Sequence, residues 1–109
     1  MTIENAEDDI SLKIFEKTNN IVSRRIAGEL FLVPISGNLA NMQRIFALTA
    51  VAEFIWERLD GRMNLTEIRR DVLDRFDVSE EQAEADIKEF VTELLKEGLT
   101  REAAAGNEM

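Results

Sequence analysis

The chain encodes three amphipathic helices in immediate succession, each with its own start and stop signals. Thr49, Asn64 and Ser79 each precede a segment of helical apolar periodicity, where a side-chain oxygen can accept a hydrogen bond from a free backbone amide. These segments are AVAEFIWERL, LTEIRRDVLDRF and EEQAEADIKEFVTELLKE. The second and third caps are followed three residues later by Glu or Gln, the spacing of a reciprocal capping pair. Gly61 and Gly98 follow the first and third helices, and glycine readily adopts the left-handed backbone conformation that ends a helix.

One face of each helix is apolar, which predicts a single shared core. Trp56 lies at the edge of the apolar face of the first helix, and we expect it to be a packing anchor. A chain of 109 residues with 45% hydrophobic residues suffices for one domain with such a core. The core residues predicted from the three helices are Ile55, Ile68, Val72, Phe76, Ile87, Phe90 and Leu94.

Short strands are predicted upstream of the helices. IVSRRI and ELFLV flank a tight reversal at Ala27-Gly28, and Pro34 ends the second strand because proline cannot donate to an interior ladder. The segment RIFAL, residues 44–48, predicts a third strand that ends where Thr49 begins the first helix. The predicted fold class is therefore α+β, with three short antiparallel strands followed by three helices.

Both ends of the chain are expected to lie outside this domain. Residues 1–10 and 101–109 offer little large apolar surface to bury, which predicts two mobile tails around a domain spanning residues 11–100. The first residues have neither the basic start nor the apolar core of a signal peptide, and no apolar run is long enough for a membrane span. We therefore expect a cytoplasmic protein.

The composition argues against an enzyme. The chain has no Cys and no His, which removes thiolate ligands, the commonest metal ligand and the commonest general base near neutral pH. Carboxylate pairs such as Glu80 and Glu84 have the i, i+4 spacing typical of a solvated helix surface. These observations predict no catalytic residue, no metal and no cofactor.

The net charge argues against two classes of partner. With 13 basic and 22 acidic residues, the chain carries a net charge of -9. Polyanions are bound through Lys and Arg that neutralise their phosphates, and the third helix would present mainly Glu and Asp to them. We therefore expect neither a nucleic-acid partner nor a membrane partner.

The third helix carries apolar residues beyond its core face. Val91 and Leu95 widen that face on the side shared with Glu84 and Lys88, whereas the other flank is acidic. Such an apolar flank either packs against another element or forms one wall of a groove. Both alternatives are open at the level of the sequence.

The ordered segments IVSRRIAGELFLVPISG, IFALT, FIWERLDG and LTEIRRDVLDRFDVSEEQAEADIKEFVTELLKEGL resemble the PqqD-like family, over about Asn20 to Leu99. This resemblance implies a small winged helix-turn-helix domain. The family is similar to the precursor-peptide recognition domains used in making ribosomally synthesised, post-translationally modified peptides (RiPPs). In those domains the leader segment of the precursor pairs with the third strand and lies beside the third helix. The connection PISGNLANMQ is longer here than in many members.

The resemblance implies a site and a function. The domain would be a non-catalytic chaperone that presents a leader peptide to a separate enzyme, in related systems a radical S-adenosylmethionine (SAM) maturase. The strand would supply backbone hydrogen bonds, the apolar flank would receive an apolar peptide side chain, and Arg44 and Lys88 would pair with an acidic one. The implied peptide-binding residues are Arg44, Ile45, Phe46, Ala47, Leu48, Glu84, Lys88, Val91 and Leu95.

An alternative role uses the same strand edge. Unpaired backbone groups on an edge strand can pair with any extended chain, including a second copy of this one. The alternative function is therefore a protein-protein interaction or homodimerisation module unrelated to peptide modification.

Overall fold

The computed structural model describes residues 8–35 and 45–103, which form two small antiparallel sheets and three helices. The α+β class is confirmed. No helix within these residues is long and apolar enough to cross a membrane. The elements, in chain order, are a short 3₁₀ helix (Asp8–Leu12), β1 (Ile14–Lys17), β2 (Ile21–Ile26), β3 (Glu29–Pro34), β4 (Phe46–Leu48), α1 (Ala50–Glu57), β5 (Asp60–Asn64), α2 (Leu65–Arg75), α3 (Glu80–Lys96) and β6 (Thr100–Glu102).

The three strands predicted from the sequence form one sheet in the order β2-β3-β4. The reversal between β2 and β3 places Ala27 and Gly28 at φ angles of 53° and 85°, the left-handed pair of a type I′ hairpin turn. β3 pairs with β4 antiparallel, with Leu32 opposite Phe46. β4 is an edge strand, because no further strand pairs with it within the described part of the chain.

A second sheet, in the order β5-β1-β6, corrects the expectation of only three strands. β1 is its central strand and pairs antiparallel with both neighbours. Asp60 and Gly61 begin β5 rather than ending the first helix, which stops at Glu57. Gly61 keeps its left-handed φ of 83°, and a Cβ there would lie 3.3 Å from Oε1 of Glu16. β5 and β6 are short and have no apolar alternation that would predict a strand. They are strands because they pair with β1.

The boundary of the predicted C-terminal tail also needs correction. Arg101 and Glu102 lie in β6, where they pair with Glu16 and Phe15 of β1. The Arg101 guanidinium donates to the Glu16 carboxylate at 2.7 Å, and the buried Thr100 hydroxyl donates to the Glu16 carbonyl at 2.5 Å. The domain therefore includes residues that the sequence pattern assigned to a tail.

All three predicted helix starts are confirmed. The Asn64 side chain accepts from the Glu67 amide at 2.8 Å, and Glu67 accepts from the Asn64 amide at 2.9 Å, which completes a capping box. Ser79 accepts from the Gln82 amide at 3.0 Å. The Gln82 side chain donates to Asp86 at 2.8 Å instead of accepting from the Ser79 amide. This third cap is therefore a simple N-cap rather than the predicted reciprocal pair.

The helices and both sheets share one apolar core. Trp56 is buried in it, as expected of a packing anchor. Two of the seven core residues predicted from the helices, Phe76 and Phe90, are only half-buried and pack at the margin of the core. The five that are fully buried are Ile55, Ile68, Val72, Ile87 and Leu94.

Candidate functional site

A groove of about 330 Å³ lies between β4 and α3. All three residues of β4 line it, together with the N-terminal part of α1 and one flank of α3. Phe46, Leu48 and Ile55 are buried beneath it, and Phe90 of α3 is half-buried along its wall. The groove therefore has an apolar floor beside an edge strand.

Three carboxylates of α3 form the rim of this groove: Asp86, Glu89 and Glu93. Glu93 lies 4.0 Å from Lys96, and Asp86 accepts the hydrogen bond from Gln82. The described lining contains no Lys or Arg. No group of acidic side chains in the described ranges is arranged to hold a metal ion, so the rim is a spread of negative charge along one flank.

β4 gives the groove its capacity to hold an extended chain. In an antiparallel pair, alternate residues direct their amide and carbonyl groups toward the partner strand and the others direct them away. Among the strands of the described residues, β4 pairs with β3 alone. Outward backbone groups on β4 could therefore pair with a further strand that lies against the α3 flank.

The structure brings together only part of the predicted site. Phe46, Ala47 and Leu48 line the groove as predicted for the strand wall. Ile45 directly precedes β4 and is 59% exposed. The predicted Arg44 lies outside the described residues.

The residues predicted for the helical wall lie on a flank of α3 that does not line this groove. Val91 is fully buried, and Leu95, which is 38% exposed, does not line the groove. Glu84 and Lys88 line a separate cavity of about 160 Å³ that contains no residue of β4. Periodicity divides a helix into two flanks, but tertiary packing decides which of them faces a given strand.

The second cavity is organised around the Glu84 carboxylate. Lys88 Nζ lies 2.9 Å from one carboxylate oxygen of Glu84, and Arg69 Nη1 lies 3.6 Å from the other. The hydrogen bond and the charge of Lys88, with a smaller effect of Arg69, lower the pKa of Glu84 below its ordinary value. Lys88 is thus already paired with a carboxylate of its own helix.

The residues of α3 that line the groove were not among the predicted site residues. Asp86 and Glu93 were assigned to an acidic flank opposite the predicted wall, and Phe90 was assigned to the core alone. One feature of the sequence could have indicated that Phe90 lines the groove: it lies at the border between the apolar face of α3 and that acidic flank. An aromatic residue at such a border can contribute to a core and to a groove together.

Comparisons with solved structures show the fold. One similar structure is "Lasso peptide synthetase B1 complexed with the leader peptide", with 20% identity, a TM-score of 0.64, and coverage of 80% of this chain and 96% of that one. Another is "TbiB1 in Complex with the TbiA(beta) Leader Peptide", with 22% identity, a TM-score of 0.62, and coverage of 85% of this chain and 99% of that one. Comparison with curated proteins gives no match.

The family is shown by a direct sequence match. The family model described as "Coenzyme PQQ synthesis protein D (PqqD)" matches residues 29–99. The match spans β3, β4, the three helices and β5, and therefore includes every described residue that lines the groove. It covers well over half of the chain and confirms the resemblance seen in the sequence. The chain belongs to the PqqD family.

Proposed function

We propose that this chain is a non-catalytic protein that captures the leader segment of a ribosomal precursor peptide and presents it to a modifying enzyme. The observation that carries the proposal is the edge strand β4 beside an apolar groove. Membership of the PqqD family supports it, as do two similar structures whose names describe leader-peptide complexes.

Capture would occur by addition of a strand to β4. Backbone hydrogen bonds along an edge strand provide affinity for any extended peptide, whereas neighbouring pockets select its side chains. Those residues of β4 whose amide and carbonyl groups point away from β3 would supply the backbone pairing. Phe90 and the N-terminal part of α1 would contact the peptide side chains that point into the groove.

The chemistry would reside in a separate protein. We propose a radical SAM maturase as that enzyme, as the family resemblance implies, and an encounter in the cytoplasm, where a ribosomal precursor peptide is made. The narrower description of the domain as a winged helix-turn-helix also remains a prediction. In this arrangement the chain contributes binding and orientation but no reacting group.

The backbone pairing can be tested with a leader peptide encoded by a short gene beside the gene of this chain. In an NMR titration, amide shifts should concentrate at residues 45–49 and at the Asp86–Glu93 flank of α3. N-methylation of single peptide amides should weaken binding about tenfold at alternate positions, where the amide donates to β4, and less between them. Shifts concentrated on α2, or a loss of affinity without this alternation, would contradict strand addition.

A pair of charge insertions tests whether the peptide lies in the groove or along the Leu95 flank of α3. Ala52→Glu places a carboxylate at a half-buried position of the groove, and we expect it to weaken peptide binding about tenfold by calorimetry. Leu95→Glu adds the same charge on the flank of α3 that does not line the groove and is the matched control, so affinity should not change. Loss of affinity only in Leu95→Glu would restore the flank predicted from the sequence.

Homodimerisation is the second candidate function. The exposed Ile45 beside the same open strand edge favours it, because two copies could pair through β4. Light scattering coupled to gel filtration distinguishes the two functions. A dimer that persists at saturating leader peptide would favour a dimerisation module, whereas a monomeric complex would favour peptide capture.

A further inference from the structure

The β2-β3-β4 sheet packs on the core with one of its two faces. Leu30 and Leu32 of β3 and Phe46 of β4 are buried on this inner face. Because side chains alternate along a strand, the residues between them point to the opposite side, which we call the outer face. The strand register places the following residues side by side on the outer face: Val22, Arg24, Ile26, Phe31, Val33 and Ala47.

The outer face concentrates the exposed apolar surface of the domain. Ile35 directly follows β3, Ile45 directly precedes β4, and both are exposed. Val22 and Ile26 are exposed as well, so four of the six large apolar side chains exposed in the described chain lie on or beside this face. Single exposed apolar residues are ordinary on a protein surface, whereas a contiguous set of them marks an interaction site.

We propose that the outer face docks the enzyme that modifies the peptide, through apolar contacts around an ion pair between Arg24 and a carboxylate of that enzyme. This inference rests on the proposed function and names the surface that the second partner uses. The peptide and the enzyme then occupy different surfaces of the same sheet.

Arg24 has apolar neighbours on three sides of the outer face. Phe31 is its cross-strand neighbour, and Val22 and Ile26 precede and follow it on the same side of β2. Glu29 lies opposite Ile26 at the hairpin end, and neither it nor Arg24 has an ion pair within residues 8–35 and 45–103. Apolar side chains that exclude water around an Arg strengthen its contribution to binding. The face therefore fits an apolar protein surface that carries Asp or Glu.

β4 connects the outer face to the peptide groove. Phe46 and Leu48 are buried beneath the groove, whereas Ala47 is exposed on the outer face and also lines the groove. A protein docked on the outer face lies next to a peptide in the groove, on the other side of the same strand. An enzyme needs this position if it is to receive the peptide while the domain still holds it.

A second copy of this chain is a poorer occupant of the outer face. Three strands, each about 4.8 Å wide and at most about 20 Å long, present about 300 Å² of sheet. Two stacked copies would bury about 600 Å² between them, below the roughly 1,200 Å² of the smallest stable complexes. Each copy also carries a net charge of -9 and repels the other. An enzyme can extend its contacts beyond the flat face and carries no such requirement of identical charge.

Calorimetry with the purified enzyme encoded beside the gene of this chain tests the role of Arg24. Arg24→Glu reverses the charge on the outer face. Arg62→Glu is the matched control, because Arg62 is an exposed residue of β5 in the other sheet and has no ion pair in the described part of the chain. Affinity for the enzyme should fall about tenfold in Arg24→Glu and change little in Arg62→Glu.

A second pair of variants tests the apolar part of the surface. Val22 on the outer face and Leu95 on α3 are 39% and 38% exposed, so Val22→Glu and Leu95→Glu add the same charge at equally exposed positions. Val22→Glu should lower affinity for the enzyme about tenfold, because its carboxylate loses water on docking, and Leu95→Glu should not. If Val22→Glu does not fold, as judged by its amide spectrum, the Arg24→Glu measurement decides.

Affinity for the leader peptide separates this inference from the function on which it rests. All four variants should bind the leader peptide as the wild type does. Equal affinity for the enzyme in Arg24→Glu and Arg62→Glu, or no binding of the enzyme to the wild type, would overturn the docking surface and leave peptide capture standing. If the wild type binds no leader peptide, peptide capture itself fails.

Light scattering tests the competing occupant. The free wild-type chain should be monomeric at the concentrations used for calorimetry. A wild-type dimer that Arg24→Glu or Val22→Glu converts to a monomer would identify the outer face as a contact between copies and overturn the inference.

Discussion

Phe90 belongs to both the core and the groove, so its replacement should affect stability and binding together. The residue is half-buried, packs against the core and lines the wall that faces β4. Phe90→Ala should therefore lower the free energy of unfolding by about 2 kcal/mol, less than the roughly 3 to 5 kcal/mol of a fully buried Phe. Peptide affinity should fall about tenfold. Urea unfolding and calorimetry measure the two effects.

Phe76→Ala is the matched control for that change. Phe76 is also half-buried, but it packs edge-on against Phe54, at a centroid distance of 5.3 Å, and lies outside the groove. Its replacement should cost similar stability and leave peptide affinity unchanged. An equal loss of affinity in both variants would mean that Phe90 acts through stability rather than through contact with the peptide.

Glu84 provides a prediction on pH dependence. Its pKa is lowered by the hydrogen bond and charge of Lys88, so its folded pKa lies below its unfolded value. The stability that it contributes is complete above the ordinary Glu pKa of about 4.3 and is lost as the pH falls through the lowered folded pKa. Glu84→Gln should therefore be less stable than the wild type at neutral pH, and the two should converge in acid.

Urea unfolding at a series of pH values measures this convergence, and carboxyl NMR titration measures the pKa of Glu84 itself. The Lys88→Met background provides the control, because Lys88 has the largest effect on the pKa of Glu84 and is then absent. In that background the loss of stability caused by Glu84→Gln should shrink at neutral pH. A loss that stays constant through the acid range in the wild-type background would contradict the ion-pair origin of the lowered pKa.

The helices and strands whose signals lie within their own segments were predictable from the sequence. The three helices were predictable because their caps and their apolar periodicity lie within each segment, as the Asn64–Glu67 capping box shows. β5 and β6 were not predictable, since DGRMN and TRE carry no strand pattern and acquire their conformation by pairing with β1. The Thr100–Glu16 hydrogen bond joins residues 84 positions apart.

The difference between the predicted helical wall and the flank of α3 that lines the groove has the same nonlocal origin. The sequence showed that α3 has an apolar flank at Val91 and an acidic flank at Asp86, and it predicted the groove on the first. The unpredicted strand β6 gives α3 an additional packing partner, and Val91 is fully buried. The acidic flank is left to face β4. The predicted strand residues 46–48 do line the groove, because hairpin order and edge position follow from local turns.

We expect β6 to contribute to the free energy of unfolding of the domain. A chain truncated after Leu99 loses the whole strand, including the buried Thr100 and the bond from Arg101 to Glu16. With about 1 kcal/mol for each hydrogen bond lost, the free energy of unfolding should fall by about 2 to 4 kcal/mol. Urea unfolding measures the change. A chain truncated after Ala103 keeps β6 and should unfold as the full chain does; equal destabilisation of both truncations would show that β6 does not contribute.

The charge of the whole molecule predicts its behaviour toward DNA. The net charge is -9, and Glu80, Glu81 and Glu89 are exposed on α3, the helix that a DNA-binding role would place against phosphates. We expect a dissociation constant for duplex DNA weaker than about 0.1 mM at physiological salt. Fluorescence anisotropy with a labelled duplex measures it, with a basic DNA-binding protein as positive control. Tighter binding that weakens steeply with added salt would refute this expectation.

The central position of β1 has a consequence for how the molecule is made. A ribosome releases β1 early, but β6, one of the two neighbours that β1 needs, is synthesised last among the described strands. Contacts of such long sequence separation, including the 85 positions between Arg101 and Glu16, cannot form until β6 has been synthesised. Closure of this sheet therefore follows the synthesis of all three helices. A nascent chain that ends before β6 would lack one neighbour of β1 and could not yet complete this sheet.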